Sequence, residues 1–121
     1  MVDRIQIVRY PNKTGFLNPH RDPHYYQKFF VNSYISKKGL DYDKGGFYLI
    51  QKNNSKHDIE NEIDPGDICI GFSTLAHGVD KIISNKNSNN LENGRWFITM
   101  GTVVSNHFKK RRHSSTEILK N

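Results

Sequence analysis

The sequence predicts an all-β domain, and three observations predict it. Apolar residues fall in short runs rich in Ile, Val, Phe and Tyr, the types that suit a pleated, half-buried surface. Pro, Gly, Asn and Asp punctuate those runs about every 8–12 residues, the spacing expected of a sandwich or barrel. Helical 3.6-residue periodicity is nearly absent. At 121 residues the chain fits one domain, just above the size at which a single core sustains itself.

Taken in order, residues 4–10 alternate and stop at Pro11-Asn12, a strand running into a turn. Residues 16–22 form a short extended piece that Pro23 ends, and residues 29–36, aromatic and β-branched, form the next strand. Residues 37–44 read as a polar loop. Gly45-Gly46 opens a strand through Ile50, and 53–56 is a turn. Residues 58–63 alternate weakly and are expected to be a further strand. Asp64-Pro65-Gly66-Asp67 is a strong turn into residues 68–72, and 78–83 resumes as strand. Residues 85–94 form an Asn-rich loop before the longest strand, 95–104. Segments 23–28 and 115–120 are the helix candidates. About eight strands without an internal repeat predict a double-stranded jelly-roll over residues 1–108, with 109–121 as a basic, polar C-terminal tail.

Composition excludes several classes. No apolar run approaches the roughly 20 residues that span a bilayer, and the N-terminus lacks the apolar core of a signal peptide. The single cysteine, Cys69, rules out an internal disulfide; between Ile68 and Ile70 it reads as a packed, inert thiol. With 35% hydrophobic residues and a mean hydropathy of -0.75, a soluble cytoplasmic protein is expected. The net charge of +6 owes much to Lys109, Lys110, Arg111 and Arg112. Such a tail can bind nucleic acid, but a solvated chain end explains it as well. No aromatic platform accompanies it, so nucleic acid ranks last among the partners.

The chemistry gathers at His20-Arg21-Asp22. In an extended backbone, side chains two apart share a face, so His20 and Asp22 can converge on one point. They are two thirds of a facial 2-His-1-carboxylate site, which leaves three octahedral positions open and suits non-heme Fe(II). The second imidazole must come from a distant strand. His77, beside an apolar run, is the first candidate; His24, His57 and His107 compete. Arg95 begins the longest strand with Phe97, Thr99 and Gly101 on its face. An arginine pointing into a β-domain is costly unless an anion neutralises it, and its fork matches a carboxylate.

His20-x-Asp22, Gly45-Gly46, Asp64-Pro65-Gly66-Asp67, His77-x-Val79 and Arg95 opening a strand together resemble the 2-oxoglutarate/Fe(II)-dependent oxygenases, closest to their prolyl-hydroxylase-like branch. The likeness runs from about Gln6 to Thr102. It implies a cupin-like double-stranded β-helix and a dioxygenase that hydroxylates an amino acid, a peptidyl side chain or a small metabolite, releasing succinate and CO2. It implies that His20, Asp22 and His77 bind Fe(II), that 2-oxoglutarate and O2 take the open positions, and that ascorbate serves as reductant. It implies further that Arg95 holds the distal carboxylate of 2-oxoglutarate, with Tyr10, Thr99 and Ser33 nearby, Tyr34 standing as the alternative to Ser33.

Members of that family carry helices before the core that brace one sheet, whereas only about ten residues precede the turn at Pro11. A bare sheet face is therefore expected, and with it self-association or a missing N-terminal segment. A non-catalytic jelly-roll that binds a metal or an acid is the competing reading.

Overall fold

The structure, a computed structural model, describes residues 2–24, 27–85, 93–103 and 117–118. Nine strands are present among them: β1 (Val2–Pro11), β2 (Leu17–Arg21), β3 (Gln27–Tyr34), β4 (Lys44–Ile50), β5 (Lys56–Asp58), β6 (Ile68–Phe72), β7 (His77–Ile83), β8 (Gly94–Val103) and β9 (Glu117–Ile118). They form two antiparallel sheets, ordered β1-β8-β3-β6 and β5-β4-β7-β2-β9. The protein is thus all-β, with the two-sheet arrangement of a β-sandwich.

Alternation within each strand decides which side chains meet between the sheets. On β3 the buried Phe30, Asn32 and Tyr34 alternate with Val31 and Ser33 on the other side. On β8 the pairing carries Arg95 and Phe97 onto the same inner face, opposite Tyr10 and Val8 of β1. Phe30, Tyr42, Phe47, Val79 and Ile82 make the buried apolar cluster. No helix among the described residues is long and apolar enough to cross a membrane.

Two segments depart from the sequence expectation. Residues 58–63 do not form a strand: β5 ends at Asp58 and Ile59–Asn61 is a single 3-10 turn. Asp58 caps that turn, its carboxylate accepting the Glu60 N–H at 2.9 Å, and the turn swings Glu60 into the interior. The 23–28 helix candidate is replaced by β3, which already holds Gln27 and Lys28, after one Gln27 N–H to Pro23 carbonyl bond of 3.0 Å. Residues 25 and 26 lie outside the described residues. So do the proposed boundary at 108/109 and most of the second helix candidate, of which Glu117 and Ile118 are extended and pair with Arg21 and His20 of β2.

Candidate metal centre and arginine cage

β2 and β7 are neighbours, and their register sets His20 directly opposite His77. Cross-strand partners share a face, so two imidazoles far apart in the sequence come together, their ring centroids 4.4 Å apart. Asp22 follows the last residue of β2. Its N–H donates to the Ser73 carbonyl at 2.9 Å, which keeps the backbone extended and the carboxylate on the side of His20. Asp22 Oδ1 is 3.6 Å from His20 Nε2, and Oδ2 is 3.9 Å from His77 Nε2. One ligand atom from each of the three lies within 4.8 Å of the others. An octahedral ion with bonds of about 2.1 Å separates adjacent ligand atoms by about 3 Å, so the set needs only a small contraction to close on one.

The outer nitrogens support that geometry. His20 Nδ1 sits 2.9 Å from the Asn18 carbonyl and His77 Nδ1 2.8 Å from the Leu75 carbonyl. A carbonyl only accepts, so each ring donates from Nδ1 and turns the Nε2 lone pair toward Asp22. Both histidines are buried. Burial depresses the His77 pKa, with His20 adding to the effect and the Leu75 carbonyl and Asp22 opposing it. Burial also disfavours His20 protonation, but there the Asp22 carboxylate and the Asn18 carbonyl prevail and raise the pKa.

A metal needs both Nε2 atoms unprotonated. Since His20 keeps its proton to a higher pH than the ordinary 6.5, Mn(II) affinity is expected to keep rising above that pH and then level off. Mn(II) titrations at fixed ionic strength from about pH 5.5 to 8.5 would reveal it; a flat profile contradicts it. Gln27 was not singled out from the sequence. Its Nε2 donates to Asp22 Oδ2 at 3.1 Å and so orients the carboxylate. Gln27→Ala is expected to weaken Mn(II) binding about 10–100-fold while leaving the thermal midpoint nearly unchanged.

The second constellation surrounds Arg95, whose side chain is fully buried. Its guanidinium carbon lies 4.4 Å from the centre of the Phe97 ring, 5.4 Å from Tyr34 and 5.7 Å from Tyr10. Nε donates to Glu60 Oε1 at 2.5 Å. The same oxygen accepts the Phe47 N–H at 3.0 Å, and Oε2 accepts the Tyr42 hydroxyl. Glu60 reaches this position because residue 46 is glycine: a Cβ there would stand 2.4 Å from Glu60 Cγ, and its φ of +114° suits no bulkier residue. The Gly45-Gly46 pair thus serves close packing of a buried carboxylate.

Nη1 and Nη2 of Arg95 are buried and have no hydrogen-bond partner among the described residues, and the buried Tyr34 hydroxyl has only the Cys69 thiol beside it. Burial pushes the Tyr34 pKa far up, so the hydroxyl keeps its proton. The two guanidinium amino groups are therefore buried among the Phe97, Tyr34 and Tyr10 rings, where unmade hydrogen bonds are costly. A carboxylate satisfies such a fork bidentately. Phe47 links the two neighbourhoods: its ring lies 5.6 Å from the His77 ring, and its N–H donates to Glu60, the partner of Arg95.

The other expected residues fall as follows. Tyr10 is the cross-strand partner of Arg95. Thr99 is half-buried on the same inner face, but Phe97 stands between it and Arg95 along β8. Ser33 lies on the far side of β3, paired with Ile68 and Ile98, while Tyr34 presents its ring to the arginine. Among the competing histidines, His57 bonds the exposed Glu62 at 3.1 Å, His24 is exposed, and His107 lies outside the described residues. Cys69 is half-buried, and burial raises its thiol pKa. Tyr42 escapes the sequence reading because residues 37–44 look like polar loop, and Glu60 because residues 58–63 read as a weakly alternating strand. Compared with known proteins, the chain matches no protein-family model and no curated protein.

Proposed function

We propose that this protein is a 2-oxoglutarate- and Fe(II)-dependent oxygenase on a jelly-roll scaffold, hydroxylating a C–H bond of an amino acid, a peptidyl side chain or a small metabolite. One observation carries the reading: a facial His20–Asp22–His77 set shares an interior with a buried arginine whose two terminal amino groups are unpartnered. The pairings β1–β8, β2–β7, β3–β6 and β4–β5 support the scaffold, because they describe one long antiparallel ribbon folded over on itself.

Both groups fit the residues present. His20 and His77 would bind Fe(II) through Nε2 and Asp22 through a carboxylate oxygen, leaving three positions for 2-oxoglutarate and O2. Arg95 Nη1 and Nη2, with the Tyr34 hydroxyl, would take the distal carboxylate of 2-oxoglutarate. Bound iron would supply the coupling of O2 activation to oxidative decarboxylation, giving succinate and CO2. Phe30, Phe47 and Phe97 are buried and would exclude water from a cosubstrate held between the two ends. The Asn18 and Leu75 carbonyls hold both imidazoles in the tautomer that a metal requires. A reducing cytoplasm suits both Fe(II) and a free thiol.

A second reading has a specific observation behind it. Glu60 already balances the Arg95 charge, as a purely structural ion pair in a non-catalytic, metal-binding jelly-roll would. Incubation with Fe(II), ascorbate and 2-oxoglutarate separates the two. Succinate above the metal-free background is expected; binding of Mn(II) and 2-oxoglutarate without succinate favours the non-catalytic module.

A further inference from the structure

We propose that the outer face of the β5-β4-β7-β2 sheet carries a binding groove for an extended acidic peptide with apolar residues at its centre. A groove of about 1230 Å³ lies there. Tyr48 and Arg21 line it, whereas their chain neighbours Phe47 and His20 lie at the metal set, so the groove is on the opposite side of the sheet. The Tyr48 ring floors its middle. Pairing of β4 with β7 sets Tyr48 opposite Gly78, and a Cβ at residue 78 would stand 2.4 Å from the Tyr48 hydroxyl oxygen, so the missing side chain lets the ring lie flat across β7. Phe16, Leu17 and Leu75 also line the groove and are 55%, 38% and 40% exposed.

Charge identifies the occupant. Arg21, Lys52, Lys56 and Lys81 line the groove against a single acid, Asp80. Asp80 is engaged by Lys56, whose ammonium also rests 4.2 Å from the centre of the Tyr48 ring. Lys52 and Lys81 have no carboxylate partner among the described residues. They stand at opposite ends. Lys52 follows shortly after Ile50, whose N–H donates to the Ala76 carbonyl at 2.8 Å, and the extended chain from Ala76 to Lys81 covers about 15 Å. A strand-like peptide spans that length in about five residues. Acids at its ends would meet the two lysines, and apolar side chains between them would cover Phe16, Leu17 and Leu75.

A nucleic acid matches this pattern less well. It carries a charge on every nucleotide and would press phosphates onto the apolar floor as well as onto the lysines. The metal set and the arginine cage lie on the inner side of the sheets, so the inference stands independently of the activity.

The test is fluorescence anisotropy of the full chain with a fluorescein-labelled peptide, EEFLFEE. It is expected to bind about tenfold or more tightly than KKFLFKK, which reverses the charge, and than EESGSEE, which lacks the apolar centre. Its affinity is expected to fall between about 50 and 200 mM salt, as screening sets in. Lys52→Glu/Lys81→Glu is expected to weaken binding about tenfold or more at an unchanged thermal midpoint, both side chains being exposed. The milder Lys52→Ala/Lys81→Ala is expected to fall between that variant and the wild type. Equal binding of the three peptides, or unchanged affinity in both double variants, overturns the proposal. So does a loss confined to a chain in which Lys109, Lys110, Arg111 and Arg112 are replaced by alanine, or tighter binding of a labelled oligothymidylate of equal charge.

Discussion

His77→Ala is expected to lower Mn(II) affinity by more than about a hundredfold and to reduce succinate formation to background. The bound is conservative, since losing a group that only orients a ligand costs about 10–100-fold. Here one of three ligand atoms disappears, and its replacement by water is no substitute for a nitrogen that the Leu75 carbonyl holds in place. The change also removes ring contacts to Phe30 and Phe47, so some loss of stability accompanies it. Asp22→Ala removes that ambiguity. Asp22 is more exposed than either histidine and lies outside the apolar cluster, so its loss should spare the fold and abolish metal binding all the same. Unchanged Mn(II) affinity in both variants would dismiss the three residues as a metal site.

Glu60→Ala is expected to destabilise the protein by about 3–5 kcal/mol, because it leaves the guanidinium of Arg95 buried without a counter-charge. A domain of this size holds about 5–15 kcal/mol in total, so the variant should be near the edge of folding. In urea the midpoint should fall by about 2 M at an unchanged slope. The alanine also strands the Phe47 N–H and the Tyr42 hydroxyl, both of whose bonds to Glu60 are buried. The double variant Glu60→Leu/Arg95→Met separates stability from binding. It is expected to recover much of the lost stability, as apolar replacement of buried ion pairs often does, while 2-oxoglutarate no longer raises the thermal midpoint. A Glu60→Ala chain as stable as the wild type would mean that Arg95 owes nothing to this carboxylate.

The strands proved legible because their signals are local. Alternation in residues 4–10, the aromatic run from Phe29 and the Asp64-Pro65-Gly66-Asp67 turn all act over a few residues, and each places an observed element to within a few positions. The failure at residues 58–63 has a local cause as well. Asp58 as a cap competes with alternation, and a three-residue turn leaves too short a pattern to recognise. Tyr42 was invisible for the opposite reason: its neighbours are polar, yet its ring is buried beside Phe47 and its hydroxyl serves Glu60.

Parity was the sequence's main contribution to the site. A spacing of two puts His20 and Asp22 on one side of β2, and the same spacing aligns Arg95 with Phe97. Parity is relative within a strand, however, and says nothing about which strands are neighbours. Only the tertiary structure decided that β2 lies against β7, which sets His77 opposite His20 and leaves His57 with Glu62. It also decided that Tyr34 and not Ser33 faces the arginine, since one residue of register exchanges the two faces of β3. The carboxylate that steadies Arg95 comes from Glu60, 35 residues away in the chain, through contacts that no local pattern encodes.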